Sequence, residues 1–269
     1  MVTMFWQTLK RPTILLPLWV AGLCACALLL CSGLVFYGFR VERPVATIVL
    51  ALLALAAERE AIQLTIALEV SVASLVCVFA AVVCGPLSAA LVGGVGLLAV
   101  LPRRDGEQRV LRWLAWTAIR VIVSGAAGLA AAGLLSARLD DFWVLFAAVT
   151  AAFAVEGSLD LALSLVAPAI RGTSRWADAA RSVAPAMLGT LPIQAPVIAV
   201  LAYSYLKVSP WSVALFAIPG VAAHRLFSLY REQRDTAEAL ASANDRLATA
   251  NLSFATALVA TLDARDQYT

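Results

Sequence analysis

From Ile14 to Tyr37 the chain runs without a single charged side chain. A helix needs about 20 apolar residues to cross a hydrocarbon core of about 30 Å, and this run exceeds that. Backbone in lipid must satisfy its own N–H and C=O groups, so such a segment is expected to be helical. Lys10 and Arg11 precede it as in a signal peptide. The run is too long for one and lacks a small-residue cleavage site, so it is read as a span that stays. The rest of the chain agrees: 62% of residues are hydrophobic and 14% charged, with a mean hydropathy of +0.89, whereas soluble domains carry about 25% charged residues. The fold class is therefore an all-α membrane protein. A net charge of +3 gives no reason to invoke nucleic acid as a partner.

Beyond Tyr37 the apolar segments become uneven. Arg40, Glu42 and Arg43 close the first span, and Pro44 is suited to the first position of the next helix. Val45–Ala57 is short for a lipid-exposed span and fits a tilted or partly buried helix, ending at Glu58, Arg59 and Glu60. From Ala61 to Val72, apolar residues at Ile62, Leu64, Ile66 and Leu68 alternate with small or polar ones; this fits an extended segment or a helix continuous with the next span. Ala73–Val83 reads as a helix broken at Gly85-Pro86, and Leu87–Leu101 as a second short one, with Gly93, Gly94 and Gly96 permitting close approach. Paired short helices around a break are where membrane folds build ligand cavities.

Trp113–Leu135, Phe142–Val166, Val183–Leu206 and Trp211–Ala223 read as further spans, the third punctuated by Pro185, Pro192 and Pro196. RGTSRWADAAR, ending at Arg181, reads as a short interfacial helix anchored by Trp176. The bundle is thus polytopic, with about six to eight spans, some of them short. Arginines concentrate at 103–112 and 171–181, beside Lys10, Arg11, Arg225 and Arg231, so both termini are placed in the cytoplasm of a bacterial inner membrane. Cys24, Cys26, Cys31, Cys77 and Cys84 all lie in apolar segments and read as small apolar residues.

Charged groups inside apolar spans are the candidates for function, because burying charge there is expensive. Glu156 and Asp160 are four apart on one helix face, and Arg120 on the preceding span is positioned to meet them. Glu69 and Gln194 are further polar groups in or near the membrane. Together they fit a polar cavity for a small ligand, proton or cation. The alternative is structural: Arg120 pairs with Glu156 or Asp160 to hold helices together, or the groups reach the interface. No catalytic residue, Walker motif or metal-ligating cluster is present, and one histidine, His224, makes no dinuclear centre.

After His224 the chain turns polar but keeps a helical pattern. Leu226, Tyr230, Gln233, Ala237, Leu240, Asn244, Leu247, Asn251, Phe254 and Leu258 follow the 3-4 spacing of a coiled-coil seam. Its polar positions lower stability but set register, as a signalling helix requires, and a parallel homodimer is the simplest partner. The chain then ends in LDARDQYT, Leu262 to Thr269. This resembles the opening of the catalytic domain of bacterial HD-GYP phosphodiesterases, with Gln267 where proline is common. Glu69, Val70, Ser71, Gly85, Pro86 and Ala89 also resemble the membrane sensor regions found ahead of such domains.

The resemblance implies a membrane sensor at 1–223, a coiled-coil linker at 224–258 and the start of a truncated catalytic domain at 259–269. The absent remainder would hydrolyse cyclic di-GMP with divalent metal ions; nothing in these residues supplies a cofactor site. A second reading, a small transporter or substrate-binding membrane subunit with a docking tail, fits the interrupted helices and intramembrane carboxylates as well.

Overall fold

Three helices begin on a proline, a position where the missing N–H has no partner to lose. They are α1 (Pro12–Phe36), α2 (Pro44–Arg59) and α4 (Pro86–Gly96). The computed structural model describes residues 12–59, 62–65, 68–70, 73–100, 107–135, 141–171, 176–211, 229, 232–234 and 236–257. The remaining elements are β1 (Ile62–Thr65), β2 (Leu68–Val70), α3 (Ala73–Val83), a 3-10 turn at Leu97–Val100, α5 (Glu107–Leu135), α6 (Phe142–Ser164), α7 (Val166–Arg171) and α8 (Trp176–Lys207). The chain divides into two units, Met1–Pro210 and Trp211–Thr269.

The helices Leu15–Phe36, Val110–Leu135 and Phe142–Ser164 are each long and apolar enough to cross a membrane. Outward-facing Leu28, Leu29, Ile48, Leu52, Ile193 and Val197 are exposed in the bare chain. Apolar exposure on this scale is foreign to soluble monomers. The period-two stretch is extended: β1 and β2 pair antiparallel, with Ile62 opposite Val70, Gln63 opposite Glu69 and Thr65 opposite Leu68. It is not a helix continuous with α3.

Inside the first unit α3 is the most enclosed element. It packs against α2, α4, α5, α6 and α8, and Cys77 through Val83 are all buried. At 1.5 Å per residue, α3 and α4 are each about 16 Å long, roughly half the thickness of a hydrocarbon core. They form a helical hairpin turning at Gly85, whose φ of +85° lies in the left-handed region that glycine adopts without strain. The direction of α4 against α5 follows from their contacts. Pro86 meets Gly128, Gly93 meets Ser124 and the Arg120 carbonyl, and Trp113 Nε1 donates to the Leu97 carbonyl at 2.9 Å. The two helices are therefore antiparallel, close at Gly93, Gly94 and Gly128, where a Cβ would meet a neighbour at 2.9 Å or less.

The Trp113 bond reaches the Leu97 carbonyl where α4 passes into the 3-10 turn, a helix end at which carbonyls are short of donors. Trp113→Phe removes the donor and is expected to cost about 1 kcal/mol in thermal unfolding of the detergent-solubilised chain. A change within error would show that another group takes over that carbonyl.

At the opposite end of the hairpin, Arg43 Nη1 donates to the Val83 carbonyl at 3.1 Å, and its guanidinium lies 5.6 Å from the Tyr205 ring centre. Arg43 thereby ties the end of α3 to the start of α2 and the end of α8. α6 opens with Asp141, whose side chain accepts from the Trp143 N–H, an N-cap bond that satisfies one orphan donor of the first turn.

The interfacial segment expected at Arg171–Arg181 is organised differently. Trp176 to Arg181 form the first turns of α8, which continues unbroken to Lys207. No glycine or proline stands between Trp176 and Pro185 to stop the helix. Residues 172–175 and 212–228, with the expected span Trp211–Ala223, lie outside the described residues apart from Trp211, as do Leu226, Tyr230, Leu258, His224 and the terminal LDARDQYT. In the second unit residues 236–257 are helical and exposed, with Arg234 and Glu238 paired one turn apart at 2.9 Å.

Candidate functional site: a buried charge cluster

Position along the helices explains how charges from distant parts of the chain meet. α5 and α6 are joined by a short connection and pack along each other. Counting back from it, Arg120 lies 15 residues before Leu135 and Glu156 lies 14 after Phe142, so both sit about 21–22 Å from the shared end. Asp160, four residues beyond Glu156, occupies the same face one turn further on. The electrostatic neighbours of Arg120 are Asp160, Glu58, Cys77 and Glu156. Glu156 and Asp160 thus lie within electrostatic range of Arg120.

The direct ion pair goes elsewhere. Arg120 Nη2 lies 3.4 Å from Glu58 Oε1, with both side chains largely buried. Glu58 closes α2, and sequence reasoning assigned it only to the charged boundary after an apolar run. The missed signal was the brevity of that run, since a helix of about 24 Å cannot carry its last turn across a bilayer core. Cys77, one turn into α3, adjoins Glu156, Arg120, Ser124 and Glu58. It brings the first turn of α3, and the positive end of its dipole, toward the cluster.

One guanidinium therefore pairs directly with Glu58 and feels the charges of Glu156 and Asp160 from the neighbouring helix. Glu156 is 4% exposed, and its Oε1, like Asp160 Oδ1, has no hydrogen-bond partner. Unsatisfied buried carboxylate oxygens are costly and uncommon in native interiors. Among the described residues no three His, Cys, Asp or Glu side chains are placed to hold a metal ion, so no step is assigned to one. The other expected polar groups are not brought to this place by any described contact. Gln194 is half-buried on α8, and Glu69 sits on β2 opposite Gln63.

The seam residues Leu240, Leu247 and Phe254 are each more than 60% exposed. Gln233, Ala237, Asn244 and Asn251 are likewise exposed.

Comparison with protein-family models, with curated proteins and with solved structures returned no match. What the chain displays on its own is a helical bundle with three helices fit to cross a membrane and charged residues on two of them that meet Glu58 of a shorter apolar helix.

Proposed function

We propose that the chain is a membrane-embedded sensory module that passes its state through the C-terminal helix to a phosphodiesterase domain of HD-GYP type, acting on cyclic di-GMP. The observation that supports this most is the cluster of Glu58, Arg120, Glu156 and Asp160, drawn from three helices into an otherwise apolar bundle. In this reading the network takes up two arrangements, and a stimulus that favours one of them shifts the population. The helix at 236–257, with Leu240, Leu247 and Phe254 on an open seam interrupted by Asn244 and Asn251, fits a parallel homodimer that relays such a shift. In this reading the bilayer covers the outward apolar residues, α3 and α4 form a pair of short helices within it, and both termini are cytoplasmic. The metal ions belong to the phosphodiesterase domain.

Reading the gene past codon 269 is the direct test. A histidine-aspartate segment followed by a Gly-Tyr-Pro motif is expected, and the encoded full-length protein should hydrolyse cyclic di-GMP at a rate that Glu156→Gln changes at least several-fold. A stop codon, or a full-length enzyme indifferent to that substitution, would overturn the proposal. The stop codon would turn attention to transport, which the hairpin broken at Gly85-Pro86 also fits.

A further inference from the structure

Charge balance in the cluster leaves something over. Arg120 pairs with Glu58 and feels the charges of Glu156 and Asp160, so with every carboxylate ionised these four described side chains sum to two negative charges. The N-terminus of α3 offers about half a positive charge at most. Isolated buried charge costs several kcal/mol per ion even after relaxation, so a structure that buries it finds a counter-charge or neutralises it. The two oxygens that remain unpartnered, Glu156 Oε1 and Asp160 Oδ1, belong to the same helix face.

Every element packed on α6 bears on what could balance it. α5 brings Arg120 and α3 brings Cys77, which lies within electrostatic range of Glu156. Glu58 of α2 reaches the pair through Arg120. On α8, Tyr203 stacks edge-on with Phe142 at the far end of α6, and Tyr205 packs on Phe79. Lys207 is exposed at the end of α8. Arg181 is also exposed, near its start. Arg171 of α7 and Asp178 of α8 have side chains outside the described residues.

We propose that the Glu156–Asp160 pair is a proton-binding site, loaded with one exchangeable proton held by Glu156. The proton comes from a hydronium ion of the surrounding water: one of its O–H bonds breaks, an O–H bond forms on a Glu156 carboxyl oxygen, and a water molecule is left. One negative charge is removed, and the new donor is available to the neighbouring carboxylate, which answers the missing hydrogen bonds of both residues. A divalent ion is a poorer fit, because calcium takes six to eight oxygen ligands and magnesium an octahedral set. As the stimulus of the sensory module this site rests on the reading above; as a proton site it does not.

The test uses the full 269-residue chain in phosphatidylcholine nanodiscs and infrared spectroscopy across a titration from about pH 5 to about pH 9. At a pH where exposed carboxylates are ionised, a protonated-carboxyl C=O band is expected in the wild type. It should be lost in Glu156→Gln, which keeps the shape of the side chain, and shifted in Asp160→Asn. No such band in the wild type, whatever the variants do, overturns the site; so does a band of undiminished intensity in a folded Glu156→Gln. Loss of the wild-type band when sodium chloride replaces choline chloride would assign a metal cation and also overturn it. Because cyclic di-GMP hydrolysis is not read here, a missing band removes the proton and leaves the sensory proposal standing. A band together with a full-length enzyme flat across the same titration removes the sensory role and keeps the proton.

Discussion

Arg120→Met is expected to lower the unfolding free energy of the solubilised chain by about 3–5 kcal/mol, the usual penalty for leaving a buried charge without its partner. Methionine fills much of the volume, so the loss is electrostatic rather than a cavity effect. The guanidinium serves Glu58 directly at 3.4 Å and acts electrostatically on Asp160, so its removal leaves both carboxylates without their cation. Thermal or denaturant unfolding monitored by circular dichroism reads the effect. Adding Glu58→Met should recover part of it, because replacing both members of a buried pair by apolar residues is often close to neutral. The recovery is expected to be incomplete, since Glu156 and Asp160 keep their charge deficit. A double-mutant cycle over the two positions should therefore give a coupling of about 1–3 kcal/mol. A single-mutant loss below about 1 kcal/mol would mean that the cluster is solvated after all.

Gly128→Leu is the second large effect, and it has nothing to do with charge. A Cβ at Gly128 would stand 2.5 Å from Pro86 Cα and 3.1 Å from its N and Cβ. The obstacle is backbone at the turn of the α3–α4 hairpin, where Pro86 has a fixed φ and α4 has just begun. Neither side gives way cheaply, so a loss of about 3 kcal/mol, the upper end of ordinary overpacking, is expected, with α4 pushed off α5. Gly133→Ala, about one and a half turns of α5 away, is the control. A Cβ there meets nothing within 4 Å, so alanine should stabilise the helix by about 0.5–1 kcal/mol. Melting temperatures moving in opposite directions would support the contact. Equal shifts would mean that α5 and the hairpin do not touch at Pro86 as described.

The charge cluster shows which parts of a site a linear reading reaches. Arg120 and the Glu156/Asp160 pair are legible because both helices run from one short connection, so residue counts convert to depth at 1.5 Å each. Their burial can also be anticipated, since charges in apolar runs have few places to go. Glu58 was not reached. In the sequence it stands beside Arg59 and Glu60, a group that reads as a boundary. Only the folded chain shows that the boundary falls beside Arg120. The glycines tell the same story: Gly93 and Gly94 stand out as a pair within α4, but their counterparts on α5 are spaced like ordinary helix residues and acquire meaning only from the partner they meet.

By itself the sequence determined the helical class, the presence of helices long and apolar enough to cross a membrane, and the break at Gly85-Pro86; it left the stretch before Ala73 open between strand and helix. These follow from local and one-dimensional quantities: apolar run length, backbone freedom, and rise per residue between elements joined by short connections. The tertiary structure alone decided that α3 is enclosed by five other helices, that α4 lies antiparallel on α5 through Gly128 and Pro86, and that Glu58 pairs with Arg120. Those outcomes depend on which apolar faces choose each other. Apolar faces are nearly interchangeable until side-chain volumes, glycine gaps and unpaired charges are set against one another in three dimensions.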